Sequence, residues 1–188
     1  MQPNMFRVRR HLIVELLLLV IPAAFLRAQE RTERFGAGGF FSGKGSGAVF
    51  FFPHADGSAG ELRLVADFEK VLKGHGYLPG TRVQYIHNLT LAVWEISGEL
   101  TVRPVAGPGV TLGFVRDRGK GPGFLAAAVG SAGVEFDFRV NPVSVYLGLS
   151  ADLGAHVVFR SRYENTMTLY RNGLQRAWQP ELSVRYRF

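Results

Sequence analysis

From Trp178 to Phe188, apolar and polar positions alternate. Trp178, Pro180, Leu182, Val184, Tyr186 and Phe188 interleave with Gln179, Glu181, Ser183, Arg185 and Arg187. Period two places successive side chains on opposite faces of a strand, so this run predicts a strand with one apolar and one polar face. Its length matches the ~9–11 residues of a tilted membrane-crossing strand. A longer strand is expected from Val143 to about Phe159. There the odd positions Val143, Val145, Leu147, Leu149, Ala151, Leu153, Ala155, Val157 and Phe159 are all apolar, against Ser144, Tyr146, Gly148, Ser150, Asp152, Gly154, His156 and Val158. Upstream, Val134, Phe136, Phe138 and Val140 alternate with Glu135, Asp137 and Arg139. Asn141-Pro142 reads as a two-residue hairpin loop that sets Val140 opposite Val143, on one face.

Further upstream, strands are expected at Val110–Arg116 and Trp94–Pro104, joined through Val105-Ala106-Gly107-Pro108, and at Arg82–Leu91 and Glu61–Phe68. One or two short strands fall within Arg34–Phe52. Leu62, Val65, Glu69 and Leu72 also permit a helix, and the candidates together exceed eight. Asp117–Gly123 and Tyr163–Ala177 read as loops. Such a pattern suits a soluble sandwich or lipocalin-like barrel with its apolar face inward, or a membrane barrel with that face outward.

The N-terminus weighs on that choice. Arg7, Arg9 and Arg10 precede an apolar stretch from Leu12 to Phe25, followed by the small residue Ala28. This order predicts a secretory signal peptide over residues 1–28, leaving a barrel domain over 29–188. Beyond residue 26 no apolar run approaches the ~18 residues of a membrane-spanning helix. Losing four arginines and Glu15 with the leader lowers the formal charge from +7 to +4, which gives a nucleic-acid partner little support. The chain has no cysteine, which excludes disulfides, thiolate metal sites, cysteine nucleophiles and lipidation at an N-terminal cysteine.

The terminal run Leu182-Ser183-Val184-Arg185-Tyr186-Arg187-Phe188 resembles the C-terminal signal of bacterial outer-membrane barrels. Gly133-Val134-Glu135-Phe136-Asp137-Phe138, followed by Asn141-Pro142 and a long strand, resembles the last three strands of small porin-like barrels common in Bacteroidetes. The resemblance covers roughly residues 109–188. It implies an all-β, OmpA/OmpX-type antiparallel up-and-down transmembrane barrel of eight strands with both termini in the periplasm. It also implies an assembly signal at Leu182, Val184, Tyr186 and Phe188 read by the barrel assembly machinery, and a location in the outer membrane of a Gram-negative bacterium. It transfers no catalytic residue.

Under the membrane reading, Glu95, Glu99, Arg103, Glu135, Asp137, Arg139, Tyr146, Asp152, Glu181, Arg185 and Arg187 face the lumen. The interior of an eight-stranded barrel is just wide enough for side chains to fill, so these groups are expected to pair and plug it rather than line a pore. Some small barrels are lipid-modifying enzymes. Here His156 with Ser161 and Glu164, or His54 with Asp56 and Ser58, supply residue types for hydrolysis or acyl transfer, although solvated loop residues are the simpler reading. His75 and His87 complete the histidines after residue 28, and no metal-ligand spacing or cofactor motif is expected among them. Gly43-Lys44-Gly45-Ser46-Gly47 lacks phosphate-loop order and reads as a tight hairpin. Asn88-Leu89-Thr90 matches a glycosylation sequon that a strand would make coincidental. Arg116, Arg118, Lys120, Arg160, Arg162, Arg171 and Arg176, against Asp117 and Glu164, form a positive rim that could meet lipopolysaccharide phosphates. The expected role is structural or surface-binding through the outer loops, with a lipid-modifying enzyme or a soluble periplasmic lipid-binding barrel as alternatives.

Overall fold

The computed structural model describes residues 35–68, 80–116, 121–160, 164–172 and 179–188. The expected signal peptide lies outside them. The strands are β1 (Gly36–Ser42), β2 (Gly45–Pro53), β3 (Ala59–Asp67), β4 (Gly80–Thr90), β5 (Trp94–Ser97), β6 (Leu100–Arg116), β7 (Pro122–Phe138), β8 (Val143–Arg160), β9 (Glu164–Asn172) and β10 (Gln179–Arg187). No helix occurs among the described residues. Each strand pairs antiparallel with its neighbours, and β10 pairs with both β8 and β1, closing the sheet.

Ten strands make eight wall positions. β5 continues β4 along β6, and β9 and β10 share one edge of β8, pairing with Asp152–Arg160 and Val143–Ser150 respectively. The fold is therefore a closed eight-stranded antiparallel barrel. Its stagger follows from the register. Paired positions lead from Gly36 through Phe51, Glu61, Ile86, Gly109 and Val129 to Asp152. In the other direction Gly36 faces Arg187, whose N–H donates to the Pro142 carbonyl at 2.7 Å. Pro142 and Asp152 lie ten residues apart on the same strand line, so the shear is 10. Eight strands with that shear, at ~3.3 Å per residue and ~4.7 Å between strands, tilt by about 41°.

Gly36 and Arg187 mark a terminal end, where the turns His54–Ser58, Gly98–Glu99 and Arg139–Pro142 also lie. The β1–β2 hairpin, with Gly43-Lys44 at its tip, points to the far end, as do the ends of β3, β6 and β8. The Gly43–Gly47 segment is thus the tight hairpin its composition suggested.

Several expectations are corrected. Val105–Pro108 is not a turn but the middle of β6, and the chain reverses at Gly98-Glu99. Pro104 explains the break between β4 and β5. Its carbonyl accepts the Leu91 N–H at 2.9 Å, but it has no N–H to return, and Leu91–Val93 then bulge as three residues against Arg103 and Pro104. The bulge separates β5 from β4, while the excess of strands expected from the sequence disappears because Val110–Arg116 and the end of Trp94–Pro104 are one strand, β6. Residues 61–67 form strand rather than helix. The Asn141-Pro142 loop has four residues, Arg139–Pro142, with Phe138 opposite Val143. A shift of two preserves the face each side chain takes, so the alternation was insensitive to it. Within the expected loop Tyr163–Ala177, Glu164–Asn172 is strand β9.

Inside the barrel, Tyr146 fills the space left by two glycines. A Cβ on Gly148 would stand 2.1 Å from the Tyr146 hydroxyl, and one on Gly133 would stand 2.6 Å from its Cε2. The ring thereby brings its hydroxyl to 2.8 Å from Ser131 Oγ. Gly148→Val is expected to expel the ring and cost about 1–3 kcal/mol through overpacking and the lost hydrogen bond. Gly130→Val, where a Cβ meets nothing within 4 Å, should change stability by much less. Urea unfolding of both variants in detergent micelles measures the difference.

Candidate functional site

The register assigns a side to every strand residue. Inward positions include Glu61, Arg63, Arg82, Gln84, Arg103, Thr111, Glu135, Tyr146, Asp152, His156, Glu181 and Arg185, all buried. Outward positions include Leu64, Val83, Val110, Leu112, Leu147, Leu149, Leu182 and Val184, all exposed. Among the described strand side chains, no Asp, Glu, Lys or Arg lies on the outward face.

The lumen is built around a chain of ion pairs. Glu61 accepts from Arg63 Nε at 2.5 Å, from Arg185 Nη2 at 2.5 Å and from Asn88 Nδ2 at 2.9 Å. Arg63 Nη1 continues to Glu181 at 2.8 Å, and Ser150 Oγ also donates to Glu181. On the other side Arg185 Nη1 donates to Glu135 at 3.2 Å, which also receives Arg187 Nη2 at 2.9 Å. Asp137 receives Arg187 Nη1 at 2.7 Å and Arg103 Nη2 at 3.3 Å. Glu61, Glu135, Asp137 and Glu181 thus balance Arg63, Arg103, Arg185 and Arg187. The Arg63 and Arg185 guanidiniums also lie 5.9 and 5.3 Å from the Tyr146 ring centre.

A second polar group sits toward the far end. Arg82 bridges Asp67 at 3.5 Å and Asp152 at 3.4 Å, while Gln84 Nε2 donates to Thr111 at 3.0 Å. Above it Val115, Leu125, Ala127 and Tyr170 form an apolar cluster. Lys44, at the hairpin tip, donates to the Tyr170 hydroxyl at 2.5 Å and lies 4.9 Å from the ring centre, so the hairpin is tied to β9.

Arg103, Glu135, Asp137, Tyr146, Asp152, Glu181, Arg185 and Arg187 take the inward positions their alternation implied. Glu95 shares the inward face of Thr101, and Arg139 Nε donates to Thr101 Oγ1 at 3.2 Å, but with Glu99 they are not buried in the lumen. They are exposed at the terminal rim, where Arg139 pairs with Glu95, because β5 and the β7–β8 turn extend past the closed part of the barrel. Sequence reasoning missed Glu61, Arg63, Arg82 and Asn88. The signal was present, since Glu61, Arg63 and Val65 alternate with Leu62, Leu64 and Ala66. Asn88 is buried against Glu61, which removes the sequon from any glycosylating enzyme.

Among the described residues, the His54 group does not form a nucleophile relay. His156 is not a solvated loop residue. It is fully buried on β8, with Nε2 3.0 Å from the Val115 carbonyl. Ser161 and the Glu164 side chain lie outside the described residues, as do the side chains of the arginine-rich far rim. At the terminal end, Ser58 Oγ donates to Asp56 Oδ1 at 2.6 Å, and His54 Nδ1 lies 3.3 Å from Ser58 Oγ. The serine therefore stands between carboxylate and imidazole, whereas general-base activation needs the imidazole between the other two. Hydrogen bonds from the Ser58 hydroxyl and main-chain N–H hold Asp56 below its ordinary carboxylate pKa. The proposed assembly residues Leu182, Val184 and Tyr186 point outward on β10, and Phe188 follows it with its N–H bonded to the Phe35 carbonyl at 2.9 Å.

No protein-family profile matches the chain, and no curated protein matches it in sequence. Its geometry is what carries the functional reading.

The ion-pair chain separates buried from exposed charge in a measurable way. Glu61→Leu leaves Arg63 and Arg185 short of a buried counter-charge and is expected to cost about 3–5 kcal/mol. Glu95→Ala, at the exposed Arg139 pair, should cost no more than about 1 kcal/mol. Equilibrium unfolding in micelles gives both values, and equal effects would contradict the buried network.

Proposed function

We propose that this chain is an integral outer-membrane β-barrel protein, exported by its N-terminal signal peptide. Its lumen is filled, and its role is structural or surface-binding through the far-end loops. The observation that carries this reading is the inverted polarity of the barrel. Leu64, Val110, Leu112, Leu147 and Leu169 are each 45–56% exposed, while Arg63, Glu61 and Asp152 are fully buried. Water would favour the opposite arrangement; a hydrocarbon surround favours this one. The tilt of about 41° gives eleven residues a rise of roughly 27 Å, close to the ~25 Å apolar band of such barrels.

Polarity also argues against the soluble lipid-binding barrel, which needs an apolar interior. The charge-filled interior supports a plug rather than a diffusion pore. Lipopolysaccharide phosphates remain the partner chemistry that an arginine-rich far rim would suit, and the barrel assembly machinery is the partner implied by the terminal signal.

The mature protein should fractionate with outer membranes and migrate faster on a gel when unheated than when boiled. Recovery as a soluble periplasmic monomer would refute the proposal. Leu147→Arg should cost about 2–4 kcal/mol in a bilayer, since it places a guanidinium against lipid; an unchanged unfolding curve in lipid vesicles would count against a lipid-facing wall. Deleting Phe188 should reduce assembly, and normal insertion without it would remove the terminal residue from the signal.

A further inference from the structure

At the terminal end, the outer face carries a histidine pair that the ion-pair network does not use. Phe52 and His87 both face Gly60 in the register, from β2 and β4. With no side chain at Gly60, the Phe52 ring closes over it. A Cβ there would stand 2.1 Å from Phe52 Cε2. Phe52 stacks on Tyr85 with centroids 6.2 Å apart, and its edge meets His54 at 5.6 Å. His54 and His87, both partly exposed, have ring centres 5.2 Å apart and planes at 42°.

The turn orients His54. Ser58 Oγ donates to Asp56 Oδ1 at 2.6 Å and lies 3.3 Å from His54 Nδ1. With its one proton engaged by Asp56, that oxygen is placed to accept from Nδ1, the arrangement that leaves Nε2 as the ligating nitrogen. A ligating histidine is oriented this way, with its second ring nitrogen donating to an oxygen that is itself held by a carboxylate. The spacing fits as well. With a metal–nitrogen bond of about 2.1 Å each ring centre would stand about 3.2 Å from an ion on which both Nε2 atoms converge, and centres 5.2 Å apart would then subtend about 110°, the tetrahedral angle.

We propose that His54 and His87 form a two-histidine site for a borderline divalent cation (zinc, nickel or copper), with Ser58 and Asp56 as the outer support of His54. Imidazole suits these metals better than magnesium or calcium, which take oxygen ligands. No group of three or more His, Cys, Asp and Glu converges among the described residues, so water completes the coordination and the ion remains exchangeable. The site rests on the β2–β3 turn and β4, at the terminal end of the wall, where both rings are partly exposed.

Calorimetric titration of the untagged protein in micelles with zinc chloride tests it. One zinc per chain is expected, with Kd rising at least tenfold in His54→Ala and in His87→Ala, and about tenfold in Ser58→Ala. Absence of saturable binding, or binding that survives both histidine substitutions, overturns the proposal. A second readout needs no variant. Substoichiometric nickel should broaden the imidazole proton signals of His54 and His87 in the wild-type NMR spectrum before those of the other histidines. Uniform broadening would equally overturn it.

Discussion

Charge neutrality inside a barrel of fixed width is the constraint on which the rest of this structure depends. Eight strands with a shear of 10 leave room for side chains and little else. Every long polar residue directed inward must therefore find its counter-charge within a few ångströms or bear a desolvation cost of several kcal/mol. The chain from Glu181 through Arg63, Glu61, Arg185 and Glu135 to Asp137 meets that condition, because each carboxylate touches at least one guanidinium from another strand. Small residues do the complementary work. The Tyr146 ring occupies the space above Gly133 and Gly148, where its face also meets two of the arginines.

The outer wall follows from the same closure. Once inward positions are committed to polar pairing, period two commits every other residue to the outside, and those residues are almost uniformly apolar. Pro104 and Pro108 belong to this outward set. In an open, flat sheet they would be poorly placed, yet in β6 Pro104 sits where β4 gives way to the bulge at Leu91–Val93 and then to β5, and Pro108 falls between the Ile86–Gly109 and Leu89–Ala106 pairs. The rim charges Glu95 and Arg139 lie just past that bulge, where the wall ends and water can reach them.

These features differ in how far the sequence disclosed them. The strands β8 and β10 are legible because an uninterrupted alternation over many residues has no helical counterpart. Val105–Pro108 was misread because proline and glycine mark turns in most settings. Here the glycines at 107 and 109 face inward and the prolines face outward, which only the partner strands reveal. Glu164–Asn172 was hidden because Asn165, Thr166, Thr168 and Asn172 weaken the apolar contrast, and the polar group at Arg82 and Asp152 required knowing which strands become neighbours. His156 shows a different limit. Its alternation placed it on the polar face, but whether that face lies under solvent or under Val115 and Leu125 depends on how far β6, β7 and β8 rise together.

The last strand joins closure and neutralisation into one event. β10 contributes Glu181, Arg185 and Arg187, whose partners lie on β3 and β7, while its backbone completes the sheet against β1 and β8. Before β10 docks, Glu61 and Glu135 each lack an arginine that later touches them, and β1 and β8 present unpaired edges. A barrel without its final strand is therefore deficient in both backbone hydrogen bonds and lumenal charge balance, and it cannot relieve one without the other. Such coupling favours an all-or-none closure. It also gives a physical reason why the proposed recognition signal falls on this strand, whose outward face, Leu182, Val184 and Tyr186, stays available while its inward face locks the network.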